Sequence, residues 1–251
     1  SMLQLDRKFL TSLLYLTPLA DSMKRIIPFY WPAPRRILDV TTGEKKIWGN
    51  FPINHEALNG VEGYKVTFAD LAPEAKPDII ADAREIHKHI DRPYDILVAD
   101  FPFTLIASGR ESFGVKAKIR VKHGSGFRSA FRKVSRRDFL FRYYVPPELI
   151  FRETVESFNK ASTDGLIIKM MDTHRDKAYF PNDMFAILSY DRRFNPESEF
   201  VLYDRIFYRG FHPKRGAKLP FVQQVLSYYL IFTKNPDLIG KRLEPYGENQ
   251  R

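Results

Sequence analysis

The feature that most constrains this chain is a recurrence of short apolar runs that stop at, or beside, an aspartate. Ile37-Leu38-Asp39-Val40 leads into Thr41-Thr42-Gly43, residues 64–68 run on to Asp70, residues 77–81 to Asp82, and residues 94–99 to Asp100. Apolar runs this short, bounded by turn formers, read as strands buried on both faces, the pattern of a parallel sheet covered by helices. Helical stretches are predicted over residues 83–90, 146–160 and 181–190. Further strands are predicted at Gly165-Leu166-Ile167-Ile168-Lys169-Met170 and over residues 200–208 and 227–233. The expected fold is α/β, with a mostly parallel seven-stranded sheet and helices on both faces. Upstream, Leu5, Phe9, Leu10, Leu13, Leu14, Leu16 and Leu19 recur at helical spacing and predict one or two helices over residues 3–27, ending before Pro28.

Several function classes are removed by composition. There is no cysteine, so disulfides, thiolate zinc sites, iron–sulfur clusters and cysteine nucleophiles are excluded, and a cytoplasmic location fits. No apolar run approaches the roughly 20 residues that span a bilayer, and Asp6, Arg7 and Lys8 interrupt the first apolar stretch, which argues against a signal peptide. His87 and His89 stand two apart on a predicted helix and face different ways, so no metal site is expected. The Gly-rich loop ending in Lys-Ser/Thr that marks a nucleotide triphosphatase is missing.

A parallel α/β sheet binds ligands at the carboxyl ends of its strands. Asp39, Asp70, Asp82 and Asp100 all fall at that edge. Carboxylates there accept hydrogen bonds from ribose hydroxyls, from an adenine amino group or from a cationic ligand. An aspartate at a strand end is also an ordinary helix cap or turn former. That bland reading suits any one of the four better than it suits all four together.

These residues carry a resemblance. Ile37 to Gly43 resembles the cofactor loop of class I S-adenosylmethionine-dependent methyltransferases. Asp100-Phe101-Pro102-Phe103 resembles the Asp-Pro-Pro-aromatic tetrapeptide of the DNA and RNA amino-methyltransferases, which act on adenine N6 or cytosine N4. Residues 165–169 with Asp172 resemble the fifth-strand region of that family, and Gln223 to Phe232 resembles its closing segment. The resemblance implies a Rossmann-like methyltransferase fold, with S-adenosylmethionine as cofactor. By it, Asp39, Thr41 and Gly43 border the methionine part of the cofactor, Asp70 accepts from the ribose, and Asp82 lies near the adenine. Asp100, Pro102 and Phe103 form the catalytic loop. Two positions depart from the family pattern. Lys45 stands where a second glycine is usual, and Phe101 replaces the first proline of the tetrapeptide. Phe101 neither fixes φ nor removes a donor, which predicts a looser loop.

The chemistry accounts for these residue types. The lone pair of an exocyclic amine is delocalised into the base, so the amine is a poor nucleophile. Asp100, with the Pro102 carbonyl region, can accept its hydrogens and favour the pyramidal form, while Phe103 stacks on a flipped base. Orientation supplies much of the catalysis, and no metal is required.

Charge points to the partner. The chain carries a net +10, and residues 110–142 hold eleven Lys/Arg against Glu111 and Asp138, which is +9 of that total. Lys116, Lys118, Arg120, Lys122, Arg128, Arg132, Lys133, Arg136 and Arg137 are the expected phosphate contacts. Phe113, Phe127, Phe131, Phe139, Phe141, Tyr143 and Tyr144 are interleaved among them, placed to stack on bases or to anchor the lobe to the core, and Gly109, Gly114, Gly124 and Gly126 predict mobility before substrate binds. A second basic loop carries Lys214, Arg215 and Lys218. The expected organisation is a helical segment over residues 1–35, a methyltransferase domain over 36–103 and 145–251, and a basic insertion for nucleic-acid recognition over 104–144. The closing segment resembles the DNA-methylase branch, which favours DNA over RNA as the substrate. The alternatives are an RNA base methyltransferase and a non-catalytic nucleic-acid-binding protein with a degenerate methyltransferase fold.

Overall fold

Five parallel strands set the frame: β1 (Arg36–Asp39), β2 (Lys65–Asp70), β3 (Ile79–Ile80), β4 (Tyr94–Ala99) and β5 (Ser162–Met170). The computed structural model describes residues 19–32, 35–43, 45–49, 51, 64–71, 73–101, 147–175, 178–209 and 226–240. A short hairpin follows the fifth strand, formed by β6 (Thr173–Arg175) and β7 (Ala178–Phe180). The last two strands, β8 (Val201–Arg209) and β9 (Leu226–Thr233), return to the main sheet. Its order is β3-β2-β1-β4-β5-β9-β8, with β9 antiparallel to both of its neighbours. This is the expected α/β fold, a seven-stranded, mostly parallel sheet with helices on both faces.

The faces follow from alternation along the strands. Leu38, Leu97, Ala99, Leu166, Ile168, Leu230 and Phe232 point to one side. There they meet α2 (Pro147–Ala161) through Phe151, Val155 and Phe158, and α3 (Asn182–Tyr190) through Ala186 and Tyr190. Ile37, Ile96, Val98, Ile167, Tyr229 and Ile231 point to the other side. Met23, Ile26, Ile27 and Tyr30 of α1 (Ser22–Tyr30) cover them, together with Trp48. Central strands with apolar side chains on both faces read as unbroken runs, which is why the sequence pattern is so legible here.

Two local expectations are corrected. Helix α1 does not stop before Pro28 but continues to Tyr30, where the Trp31 N–H donates to the Ile27 carbonyl at 2.8 Å. Pro28 removes a donor to the carbonyl of Lys24, but Lys24 lies on the exposed side, so the lost bond falls where solvent meets the helix. Buried Ile27 and Tyr30 hold the last turn in place. The stretch after Asp82 is a 3-10 turn, Ala83–Lys88, rather than an α-helix. Strand β2 ends at Asp70, as expected.

One glycine is dictated by packing. A Cβ built on Gly165 would lie 2.3 Å from Cζ2 of Trp31 and 2.9 Å from its Cε2. The indole is wedged between α1 and the central strand and is itself buried. Gly165→Ala is therefore expected to destabilise the protein by roughly 1–3 kcal/mol, the usual range for overpacking. Thermal denaturation of the variant checks this, and an unchanged Tm would show that the indole yields freely.

Candidate active site

The chain leaves β1, crosses to β2 and β3 on one side, then returns to place β4 on the other side of β1. That reversal makes the carboxyl ends of β1 and β4 the switch point, where an open α/β sheet forms its crevice. The turn after β1 is held from both neighbours. Thr42 donates through its hydroxyl to the Ala69 carbonyl at 2.9 Å, and the Gly43 N–H donates to Asp70 Oδ2 at 3.0 Å. On the other side the Asp100 N–H donates to Thr41 Oγ1 at 2.6 Å. Thr41 Oγ1 in turn reaches Asp39 Oδ1 at 3.3 Å. Asp39, Thr41, Gly43, Asp70 and Asp100 thus form one hydrogen-bonded edge.

Two backbone positions in this turn have positive φ. Gly43 has φ +46, and among the described residues a Cβ there would meet the Thr41 carbonyl oxygen at 3.7 Å. Lys45 has φ 55 and adopts the left-handed conformation despite its side chain. The lysine that replaces the usual glycine therefore keeps a glycine-like backbone at a cost of about 1–2 kcal/mol. Its ammonium lies 4.1 Å from the centroid of the Phe68 ring, an attraction that offsets part of that cost.

Asp39 is buried, and both its oxygens are engaged. Oδ1 accepts from the Thr41 N–H at 2.8 Å, and Oδ2 accepts from Trp48 Nε1 at 2.6 Å. Burial pushes its carboxyl up to about 7; the Thr41 and Trp48 donors oppose the rise, and the charges of Asp100 and Asp70 add to it. A carboxyl whose folded pKa is raised contributes stability that is complete below its unfolded pKa and lost as pH climbs through the folded value. The Asp39 contribution is thus full below about pH 4 and gone above about pH 7, a change on the order of 4 kcal/mol. Asp39→Asn is expected to flatten the fall in stability between those limits. Denaturant unfolding of both proteins at pH 5 and pH 8 checks it, and an identical pH dependence would remove Asp39 as the titrating group.

Asp82 stands apart from the other three aspartates, beyond the edge strand β3. It caps the 3-10 turn by accepting from the Arg84 N–H at 2.9 Å and is clamped by the Arg84 guanidinium at 2.6 Å. Burial alone would raise its carboxyl, but the Arg84 side chain, N–H and charge outweigh that and hold it below the usual range. Arg84 also reaches Glu153 on α2 at 3.0 Å.

At the end of β4, Phe101 turns inward. It is 4% exposed and stacks on Phe158, with ring centroids 6.2 Å apart and planes 8° from parallel. Phe158 stacks in the same way on Tyr190. The residue that replaces the first proline of the tetrapeptide anchors the start of the loop by packing, where proline would anchor it by restricting φ. Asp100 faces the other way, 30% exposed, and both its oxygens accept from the Lys169 ammonium, at 3.2 and 3.1 Å. Lys169 lies near the end of β5 and is 8% exposed. Asp172, just beyond, is buried in a separate network. It accepts from the Tyr179 hydroxyl and from the Asp183 N–H, and Asp183 pairs with Arg205 at 2.6 Å. Burial foremost, and the neighbouring Asp183, raise its carboxyl.

The catalytic candidates Pro102 and Phe103 lie outside the described residues, as do the basic segment from Lys116 to Arg137, the loop with Lys214, Arg215 and Lys218, and Gln223 and Gln224. Trp48 and Lys169 were not among the expected site residues. A tryptophan nine positions from Asp39 gives no local signal, whereas a lysine closing the apolar run Gly165 to Met170 is a visible anomaly. Among the described residues, no helix is long and apolar enough to cross a membrane, and no group of three His, Asp or Glu is placed to hold a metal ion.

No known family model and no curated protein matches the chain. Solved structures resemble it at low identity. TrmN from Thermus thermophilus is 12% identical with a TM-score of 0.42, over 84% of this chain and 47% of that one. An rRNA methylase from Streptococcus thermophilus is 12% identical with a TM-score of 0.40, over 87% of this chain and 97% of that one. The chain thus spans about half the length of TrmN.

Proposed function

We propose that this protein is an S-adenosylmethionine-dependent methyltransferase acting on the exocyclic amino group of a nucleic-acid base, with DNA as the preferred substrate. The observation that carries the reading is the join at the switch point. Asp100, the proposed acceptor for the amine, is hydrogen-bonded through its N–H to Thr41 in the turn proposed to hold the cofactor. The residues present fit that cofactor. Among the described residues a Cβ on Gly43 would meet the Thr41 carbonyl oxygen at 3.7 Å, and the Asp70 carboxylate stands beside the turn, accepting from the Gly43 N–H. In this reading Asp39, fully engaged with Thr41 and Trp48, shapes the turn beside the methionine part. Asp70 accepts from the ribose, and Asp82 with Arg84 borders the adenine.

S-adenosylmethionine, when bound, supplies a methyl group activated on a sulfonium. The chain supplies orientation. Asp100 accepts a hydrogen bond from the amine, which localises the lone pair on nitrogen and stands where the amine's proton must leave. Phe103 stacks on the extruded base, and the Pro102 carbonyl region takes the second amine hydrogen. The basic residues Lys116, Lys118, Arg120, Lys122, Arg128, Arg132, Lys133, Arg136 and Arg137 hold the phosphates, and the DNA preference rests on the resemblance of residues 223–232.

Transfer of labelled methyl from S-adenosylmethionine to DNA, tRNA and rRNA, measured side by side, tests the reading. The expected product is an N-methylated adenine or cytosine in DNA. Label confined to RNA would move the substrate class. A folded protein that binds no cofactor at millimolar concentration in calorimetry would overturn the enzyme altogether.

A further inference from the structure

A lysine is out of place at residue 169. It sits at the next-to-last position of β5, between Ile168 and Met170, which are both fully buried against the α2 and α3 side. Its own register partner on β9 is Tyr229, also fully buried. An ammonium in such surroundings is costly unless it is paired, so its presence needs a purpose that leucine would not serve. Its Nζ lies 3.2 Å from Oδ1 and 3.1 Å from Oδ2 of Asp100. The pair is graded outward, with the lysine side chain 10% exposed and the aspartate 30%.

We infer that Lys169 is a positioning residue that fixes the Asp100 carboxylate for the incoming amine. Among the described residues, two contacts from different parts of the chain hold residue 100. Thr41 holds the backbone of residue 100 at 2.6 Å, and Lys169 straddles both carboxylate oxygens. A cation shared by both oxygens sets the rotation of the carboxylate plane, which a single backbone contact leaves free. A carboxylate offers about four lone-pair sites. The lysine occupies one on each oxygen, leaving a free site for the amine hydrogen that Asp100 accepts. An acceptor held in advance on rigid strands loses nothing to reorganisation when the substrate arrives. The chemical role of the pair rests on the methyltransferase reading above; its geometry does not.

Lys169→Met keeps the chain length and removes the charge, Lys169→Arg keeps the charge, and Lys169→Gln keeps a polar donor should the methionine variant fail to fold. Crystal structures of the variants read the carboxylate directly, and the wild-type protein serves as reference. In Lys169→Met or Lys169→Gln, the Asp100 carboxylate is expected to rotate from its wild-type plane, and in Lys169→Arg to keep it. In DNA methyl transfer, kcat for the methionine variant is expected to fall about 100-fold, the scale of a misplaced reacting group. KM for DNA and the cofactor Kd should each stay within about threefold, because neither ground-state interaction is removed. The arginine variant should recover at least about tenfold in kcat, and Lys169→Met in an Asp100→Asn background should add little further loss. An unmoved carboxylate with kcat intact overturns the inference. So does a normal kcat with a weakened cofactor Kd, which would make Lys169 a cofactor ligand. A wild-type protein that methylates no nucleic acid defeats the proposed reaction alone, because the crystallographic result still decides whether Lys169 sets the carboxylate.

Discussion

Asp100→Asn is expected to lower methyl transfer by about 100- to 1000-fold, the usual consequence of removing one preorganised polar group at the reacting centre. The amide keeps the shape of the side chain but trades one acceptor oxygen for a donor, so it cannot accept from the amine and from Lys169 as the carboxylate does. Cofactor affinity should change by no more than a few-fold, since the Gly43 and Asp70 contacts are untouched. Calorimetry with S-adenosylmethionine and single-turnover transfer to DNA separate the two quantities. A variant with near-normal turnover would show that the tetrapeptide is only a turn. Asp100→Ala is the harsher change. It leaves the buried Lys169 ammonium without this carboxylate, which is expected to cost roughly 1–3 kcal/mol of stability in addition. That cost is below the one for a fully buried pair because Asp100 is 30% exposed.

The second large effect is expected in the basic segment. Residues 110–142 carry +9 of the net +10, so most of the nucleic-acid affinity should reside there. Replacing Arg132, Lys133, Arg136 and Arg137 together by glutamine should weaken binding and flatten its salt dependence. If each contacts one phosphate, the slope of log affinity against log salt falls by roughly 0.7–0.9 for each residue removed. Cofactor affinity should be unchanged. Fluorescence anisotropy with a labelled duplex across a salt series measures the slope. An unchanged slope would transfer the phosphate-reading role to the loop containing Lys214, Arg215 and Lys218.

The parts of this protein that were legible in its sequence share a physical cause. Strands β1, β4 and β5 are apolar on both faces, so burial leaves a continuous local signature, and the aspartates that follow them mark the strand ends. What stayed hidden depends on partners far along the chain. Phe101 reads as a catalytic-loop residue, yet it belongs to an aromatic stack completed by Phe158 and Tyr190. Asp39 reads as a ligand, yet both of its oxygens are taken by Thr41 and Trp48. Asp82 reads as a free carboxylate, yet Arg84, two residues on, clamps it. The β6–β7 hairpin carries no strong alternation in its three-residue strands and was not anticipated. The antiparallel direction of β9 depends on pairing across the sheet, which no local pattern of apolar residues reports.

The hydroxyl of Thr41 is shared property. It accepts from residue 100 at the end of β4 and sits two residues beyond the carboxylate of Asp39 at the end of β1. Neither strand end can be repositioned without strain on the other, because a hydrogen bond of 2.6 Å has little slack. A ligand that draws the β1 turn toward itself therefore does mechanical work on the acceptor side, and a ligand seated on the acceptor side does the same work in return. Linkage makes such an effect equal in both directions. The two halves of the crevice are in this sense thermodynamically one, with a single threonine as the hinge pin between them.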